Sequence, residues 1–178
     1  MQDVSSEANL EAPNGLTLYA LSVGEGILAL CPLPGAGGDL LGDLNHIHEW
    51  EPGLVISMTT DAEHAAVGAA DLGLRLQNMG CRWSHLPLAD FSAPDHEMCE
   101  PWQEVSALAL QALRGGGRVL VHCKGGCGRS GMVLLRLMVE SGEPPAKALA
   151  RLRAVRPCAV ETQSQMEWAY AGAHAAQS

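Results

Sequence analysis

Val119-Leu120-Val121-His122-Cys123-Lys124-Gly125-Gly126-Cys127-Gly128-Arg129-Ser130-Gly131 holds a strand, a loop and the start of a helix in immediate succession. Arg118 to His122 reads as a buried strand, and Ser130 to Ser141 is apolar on nearly every face, which puts that helix in the middle of a core. Between them Gly125, Gly126 and Gly128 let the backbone turn without Cβ obstruction. Successive N–H groups of such a loop can converge on a tetrahedral oxyanion beside a helix N-terminus. Cys123 lies below that anion. Arg129 supplies a planar fork that matches two phosphoryl oxygens at once, which a lysine cannot reproduce. The same positive surroundings favour thiolate over thiol, so Cys123 is the candidate nucleophile. Ser130 can donate to the sulfur when it leaves, and His122 can hold the loop by hydrogen bonds.

Rival readings of this stretch fit less well. An ATP-binding loop of the form G-x-x-x-x-G-K-[ST] needs glycine at 123 and lysine at 129, where this chain has Cys123 and Arg129. Zinc held by His122, Cys123 and Cys127 is disfavoured because the three lie close in sequence and no second ligand pair has metal spacing. A structural glycine loop around a buried cysteine gives no reason for Arg129 and Ser130 to follow in that order.

Working outward, the chain alternates strands and helices. Leu16 to Val23 and Ile27 to Leu30 flank Gly24-Glu25-Gly26 as a hairpin. Asp39 can cap a helix with Leu40, Leu41, Leu44 and Ile47 on one face, ending before Pro52. Leu54 to Met58 reads as a buried strand, and Asp61 can cap a helix reaching about Met79, stopped by Gly80. Cys81 to Leu88 is extended, Glu97 to Arg114 helical, and Gly115-Gly116-Gly117 breaks that helix before the strand at 118. Pro144 and Pro145 suit the first turn of a helix ending near Val155, and Glu161 to about His174 forms the last. The expected fold class is α/β, one domain with a largely parallel four- or five-stranded central sheet flanked by helices. Residues 1–15 read as a loosely ordered tail and 16–178 as the domain.

Composition narrows the function. Of 178 residues, 47% are apolar and 17% charged, and Lys+Arg 11 against Asp+Glu 20 leaves a net charge of −9, so the basic footprint of a nucleic-acid binder is missing. No apolar run approaches the roughly 20 residues that span a bilayer, and the polar, acidic N-terminus lacks signal-peptide character. The chain is therefore expected in the cytoplasm without membrane insertion, and its six cysteines as reduced thiols. Asp43, His46 and His48 read as a solvated helix face and not metal ligands, since 46 and 48 point to different sides. The dispersed Trp50, Trp83, Trp102 and Trp168 read as core or rim, Met132 and Met138 as core.

The loop sequence HCKGGCGRSG resembles the H-C-x5-R-[ST]-G signature of the cysteine-dependent protein tyrosine and dual-specificity phosphatases. The likeness continues upstream through His85-Leu86-Pro87-Leu88-Ala89-Asp90-Phe91-Ser92-Ala93-Pro94-Asp95, similar to the general-acid loop of the compact branch that includes the cyclin-dependent kinase-associated phosphatases. Downstream, Arg156-Pro157-Cys158-Ala159-Val160-Glu161-Thr162-Gln163-Ser164-Gln165 resembles that branch's segment after the last core strand, so the resemblance spans roughly residues 26–170. It implies hydrolysis of phosphoproteins through a phosphocysteine, on phosphotyrosine and in some members phosphoserine or phosphothreonine, with no metal or other cofactor.

Ester cleavage needs a proton for the leaving oxygen, a contribution of typically ~10²- to 10⁴-fold. Asp90, just after a strand end in a loop able to close over the site, is the better candidate; Asp95, after Pro94, suits a helix cap. Lys124, Gly125, Gly126, Cys127, Gly128 and Arg129 are the expected phosphate-binding loop. Gln165 either helps place the hydrolytic water or is a surface glutamine. Lys124 resembles a feature of the superfamily's phosphoinositide phosphatases, whose second loop lysine is replaced here by Cys127. Cys127 either fills a small apolar site or resolves an oxidised Cys123 through a disulfide. Two alternatives from other classes stand beside hydrolysis. A non-catalytic phosphate-binding module needs neither nucleophile nor acid, and a sulfur transferase ordinarily lacks the acid loop and the six-residue step from Cys123 to Arg129.

Overall fold

The computed structural model describes residues 8–11 and 15–176. One six-stranded sheet runs in the order β1-β2-β3-β6-β4-β5, with β1 Ala8–Glu11, β2 Thr17–Val23, β3 Gly26–Cys31, β4 Leu54–Ser57, β5 Arg82–His85 and β6 Arg118–His122. β1, β2 and β3 pair antiparallel; β3, β6, β4 and β5 pair parallel. The expected α/β class holds, with one more strand than the four or five read from the sequence. That strand, Ala8–Glu11, comes from the stretch read as tail: it pairs along β2 from Ala8↔Ala20 to Glu11↔Thr17. The rest of residues 1–14 lies outside the described residues.

Eight helices flank the sheet among the described residues: α1 Leu40–Trp50, α2 Asp61–Ala66, α3 Leu72–Asn78, α4 Cys99–Arg114, α5 Gly128–Glu140, α6 Pro145–Val155, α7 Gln163–Tyr170 and α8 Gly172–Ala175. Alternation along β6 divides the core. Val119 and Val121 face a cluster with Val105 and Ala109 of α4 and Met132, Leu134 and Leu135 of α5. Leu120 faces the other side, with Leu44 and Ile47 of α1 and Leu72 and Leu76 of α3. Both sheet faces are covered, as parallel strands require. Met132 and Met138 are fully buried, and Trp50 and Trp102 join the core.

Several boundaries differ from the sequence expectation. The helix expected after a cap at Asp61 and reaching Met79 is two, because Gly68 takes a left-handed φ of 73° just after α2 and ends it, and Thr60, not Asp61, is the cap. The helix expected from Glu97 is a 3₁₀ turn, His96–Met98, followed by α4. The last expected helix divides into α7 and α8 at Ala171. Leu41, assigned to the buried face of α1, is 66% exposed, whereas Asp43 is buried and its Oδ2 accepts from Gly35 N at 2.8 Å. His46 is tied through Nε2 to Leu10 O at 3.1 Å. Asp39 does cap α1, accepting from Gly42 N at 2.9 Å. No helix among the described residues is long and apolar enough to cross a membrane.

Parallel register brings three strand ends together. Cys31 of β3 and Ser57 of β4 both lie opposite His122 of β6, so the residue after β6, Cys123, emerges at the C-terminal edge of the sheet. Crevices at such edges are where open α/β sheets bind ligands.

Candidate active site

Cys123 leaves β6 with only 2% of its surface exposed, and its Sγ lies 3.1 Å from Ser130 Oγ in the first turn of α5. The Cys127 side chain makes no capping hydrogen bond to α5, whose N-terminal end adjoins the loop. Of the loop glycines, Gly126 is dictated by neighbouring backbone, whereas Gly128 lies against the ends of the Glu161 and Gln165 side chains. At Gly126, φ is +68° and a Cβ would meet Pro32 N at 2.7 Å; at Gly128 a Cβ would meet Glu161 Oε1 at 2.3 Å. A Cβ on Gly125 would meet nothing within 4 Å. Lys124 is exposed, while its carbonyl accepts from Leu33 N at 3.0 Å.

His122 holds the loop from beneath. Trp83 Nε1 donates to Ser57 Oγ at 2.9 Å, and Ser57 Oγ lies 2.5 Å from His122 Nε2. Nδ1 is 3.4 Å from the carbonyl of Cys123, which can only accept. The ring is therefore the Nδ1–H form, with Nε2 accepting from the serine hydroxyl. Burial holds its pKa down to about 3, with neighbouring His64, His85 and Arg129 acting in the same direction against the Cys123 backbone bond. Cys31, at the end of the adjoining strand, has its thiol pKa pushed well up by burial and by the charges of Cys123 and Asp43. It stays a neutral thiol next to the candidate nucleophile.

Arg129 is the largest fully buried side chain. Its guanidinium takes both oxygens of Glu63, Nη1 to Oε2 at 2.8 Å and Nη2 to Oε1 at 2.7 Å, and Nη1 also donates to Leu88 O at 2.8 Å. Nε is the one buried side-chain nitrogen or oxygen among the described residues without a partner. A buried orphan donor carries a cost that an incoming anion relieves. The hydrogen bond from Arg129 holds the Glu63 carboxyl down to about 2 against the opposing effect of burial. Glu63 also closes a capping box with Thr60 at the start of α2. Thr60-x-x-Glu63 is legible as a cap in the sequence, but nothing local indicates that the same carboxylate grips Arg129.

Asp90 lies in the loop after β5, its side chain 40% exposed, with Oδ1 at 3.4 Å from Arg129 Nη2 and accepting from Phe91 N at 3.0 Å. Asp95 instead caps the 3₁₀ turn, accepting from Glu97 N at 3.0 Å. Gln165 is not a surface residue: it is fully buried. Its Oε1 accepts from Glu161 N at 2.9 Å and Thr162 N at 3.2 Å, and its Nε2 donates to Ser92 O at 3.2 Å. It thus joins the start of α7 to the Asp90 loop, beside Gly128.

Two further features were not foreseen. Arg156 donates from Nε to Gly126 O and from Nη2 to Gly125 O, each at 3.0 Å, and from Nη1 to Tyr19 Oη at 2.8 Å, with its guanidinium 4.3 Å from the Tyr19 ring centre. Arg156 thereby fixes two carbonyls of the loop, and an anion nest needs the adjoining amides to point away from such carbonyls. The expectation of six reduced thiols is also corrected, because Cys127 is bonded to Cys158. Cys127 therefore neither fills an apolar site nor pairs with Cys123. Cys31, Cys81, Cys99 and Cys123 are free.

Comparison with known proteins adds to this geometry. A family model described as a polymorphic toxin system DSP-PTPase phosphatase matches residues 45–143, more than half of the chain. Cyclin-dependent kinase inhibitor 3 of Rattus norvegicus is 34% identical over 95 residues, which cover 52% of this chain and 43% of that protein. The chain thus aligns with less than half the length of that curated relative. Among solved structures, kinase associated phosphatase with its catalytic-site cysteine replaced by serine superimposes with a TM-score of 0.79 at 22% identity, covering 92% of this chain and 97% of that one. Tk-PTP in its active form gives 0.65 at 29% identity, covering 83% and 91%.

Proposed function

Since the chain belongs to the DSP-PTPase phosphatase family of polymorphic toxin systems, we propose that it hydrolyses phosphoproteins through a phosphocysteine formed on Cys123. The observation that carries this reading is the meeting of Cys123, Ser130, Arg129 and Asp90 at one sheet edge, with Arg129 Nε unpartnered. In the first step the Cys123 thiolate attacks phosphorus and the ester P–O bond breaks, the departing oxygen taking a proton from the Asp90 carboxyl. In the second, water attacks phosphorus, passes a proton to the Asp90 carboxylate and breaks the S–P bond, releasing phosphate. The Ser130 hydroxyl at 3.1 Å donates to the departing sulfur. Arg129 stays charged throughout: burial is the largest single influence and opposes its charge, but the bond to Glu63 together with the charges of Cys123, Glu63 and Asp90 outweighs it. Its preorganised charge and the loop amides stabilise the transferring phosphoryl group.

Phosphotyrosine is the proposed main substrate, with phosphoserine and phosphothreonine as further ones. Phe91, left-handed at φ 63° and 57% exposed beside Asp90, offers a face at the rim for a phosphotyrosyl ring. Lys124 alone does not favour a phosphoinositide, since Cys127 stands where a second lysine is expected and is bonded to Cys158. The site of action is proposed to be the cytoplasm. A reducing cytosol would open the Cys127–Cys158 bond, so Arg156 has to hold the loop there without it.

Assaying an aryl phosphate and matched phosphotyrosyl and phosphoseryl peptides with the protein and its Cys123→Ser variant tests the reading. Turnover lost in the variant, with phosphate binding retained, supports it. Turnover that survives removes the phosphocysteine, and tight phosphopeptide binding without turnover by the unaltered protein favours a binding module.

A further inference from the structure

Asp61, His64 and His85 stand together beside the site without taking part in the proposed hydrolysis, and one ligand atom of each lies within 4.8 Å of the others. Asp61 and His64 are three residues apart in α2 and share a face of that helix. His85 ends β5, so two elements remote in sequence converge here. The imidazoles of His64 and His85 are stacked, their centres 5.3 Å apart and planes at 26°.

Thr59, fully buried, holds both rings. Its carbonyl oxygen is 2.6 Å from His85 Nε2. A carbonyl only accepts, so that nitrogen carries the proton and Nδ1 keeps its lone pair. Thr59 Oγ1 is 2.5 Å from His64 Nε2, and because a hydroxyl can give or take a proton, it can accept from Nε2 when His64 Nδ1 binds a metal. An oxygen acceptor behind each imidazole is the support that orients metal-binding histidines. Glu63, the other carboxylate of α2, is taken by Arg129, whereas Asp61 is exposed.

We propose that Asp61, His64 and His85 bind a divalent transition-metal ion of the Zn²⁺ class, with water completing the coordination. Two imidazoles and one carboxylate suit zinc, nickel or copper better than magnesium or calcium. Ligand atoms around tetrahedral zinc at ~2.0–2.2 Å lie roughly 3.4 Å apart, so an exposed aspartate and a half-buried histidine close the trio by side-chain adjustment. The ion would tie α2 to the end of β5 and so steady the helix whose Glu63 grips Arg129.

Titrating ZnCl₂ into the metal-free full chain by calorimetry tests this. We expect one equivalent to bind and to raise the melting temperature, with Asp61→Asn and His85→Gln each weakening affinity at least ~10-fold, the lower bound set by loss of a mere outer-shell partner. Asp61→Asn, an isosteric surface change, keeps the test standing should His85→Gln misfold. CoCl₂ separates this site from the free cysteines, because nitrogen and oxygen ligands give no thiolate-to-metal charge-transfer band. Absence of stoichiometric binding, affinity undiminished in Asp61→Asn, or a thiolate band in the cobalt spectrum overturns the proposal.

Discussion

Opening the Cys127–Cys158 bond should destabilise the protein far more than it slows it. The bond closes a loop across a sequence separation of 31 residues. In the chain-entropy account, releasing a loop of that length returns about 12 cal/mol/K to the unfolded chain, or about 3.7 kcal/mol at 25 °C. For a chain of this size that is a fall of roughly 10 °C in melting temperature. Activity should persist, because Arg156 still holds the carbonyls of Gly125 and Gly126 and Gly131 N still donates to Cys127 O at 3.0 Å. The assay is a pair of urea melts with and without reductant, repeated on Cys158→Ser, alongside aryl phosphate turnover. Cys158 is exposed, so its replacement costs no core packing. Superimposable melts for the oxidised and reduced protein would refute the reasoning, as would a thiol count that finds Cys127 free before reduction.

Asp90→Asn should lower kcat strongly for poor leaving groups and little for good ones, since only the former need the proton; the same pattern in Asp95→Asn instead would reverse the assignment. Arg129→Lys keeps the charge but loses the fork, and steady-state kinetics should register at least ~100-fold loss in kcat/KM, near-normal values counting against its role. On the acid side two groups act in one direction. His122, held to about 3 against an ordinary 6.5, refuses a proton that the unfolded chain accepts, so stability falls as pH drops from 6.5 towards 3. Glu63, held to about 2 against an ordinary 4.5, contributes fully above 4.5 and is lost as pH falls towards 2. Denaturant midpoints measured across pH should show both, and Glu63→Gln should flatten only the lower window.

The sequence by itself determined the class of the fold and the place of the loop, because strand, loop and buried helix are contiguous from Arg118 to Glu140 and their signals are local: apolar runs, glycines, and a cysteine six residues before an arginine. It also marked Asp95 as a cap, since a cap can be read from its neighbours. Only the tertiary structure decided what supports that loop. Glu63 reaches Arg129 across 66 residues, Arg156 reaches Gly126 across 30, and Gln165 reaches Ser92 across 73. Each looks like an ordinary helix or loop residue in its own neighbourhood. The Cys127–Cys158 pairing and the sixth strand were hidden for the same reason. Pairing depends on which backbones packing brings within a few ångströms, and periodicity and spacing along a chain report which face a side chain takes, not which distant segment will meet it.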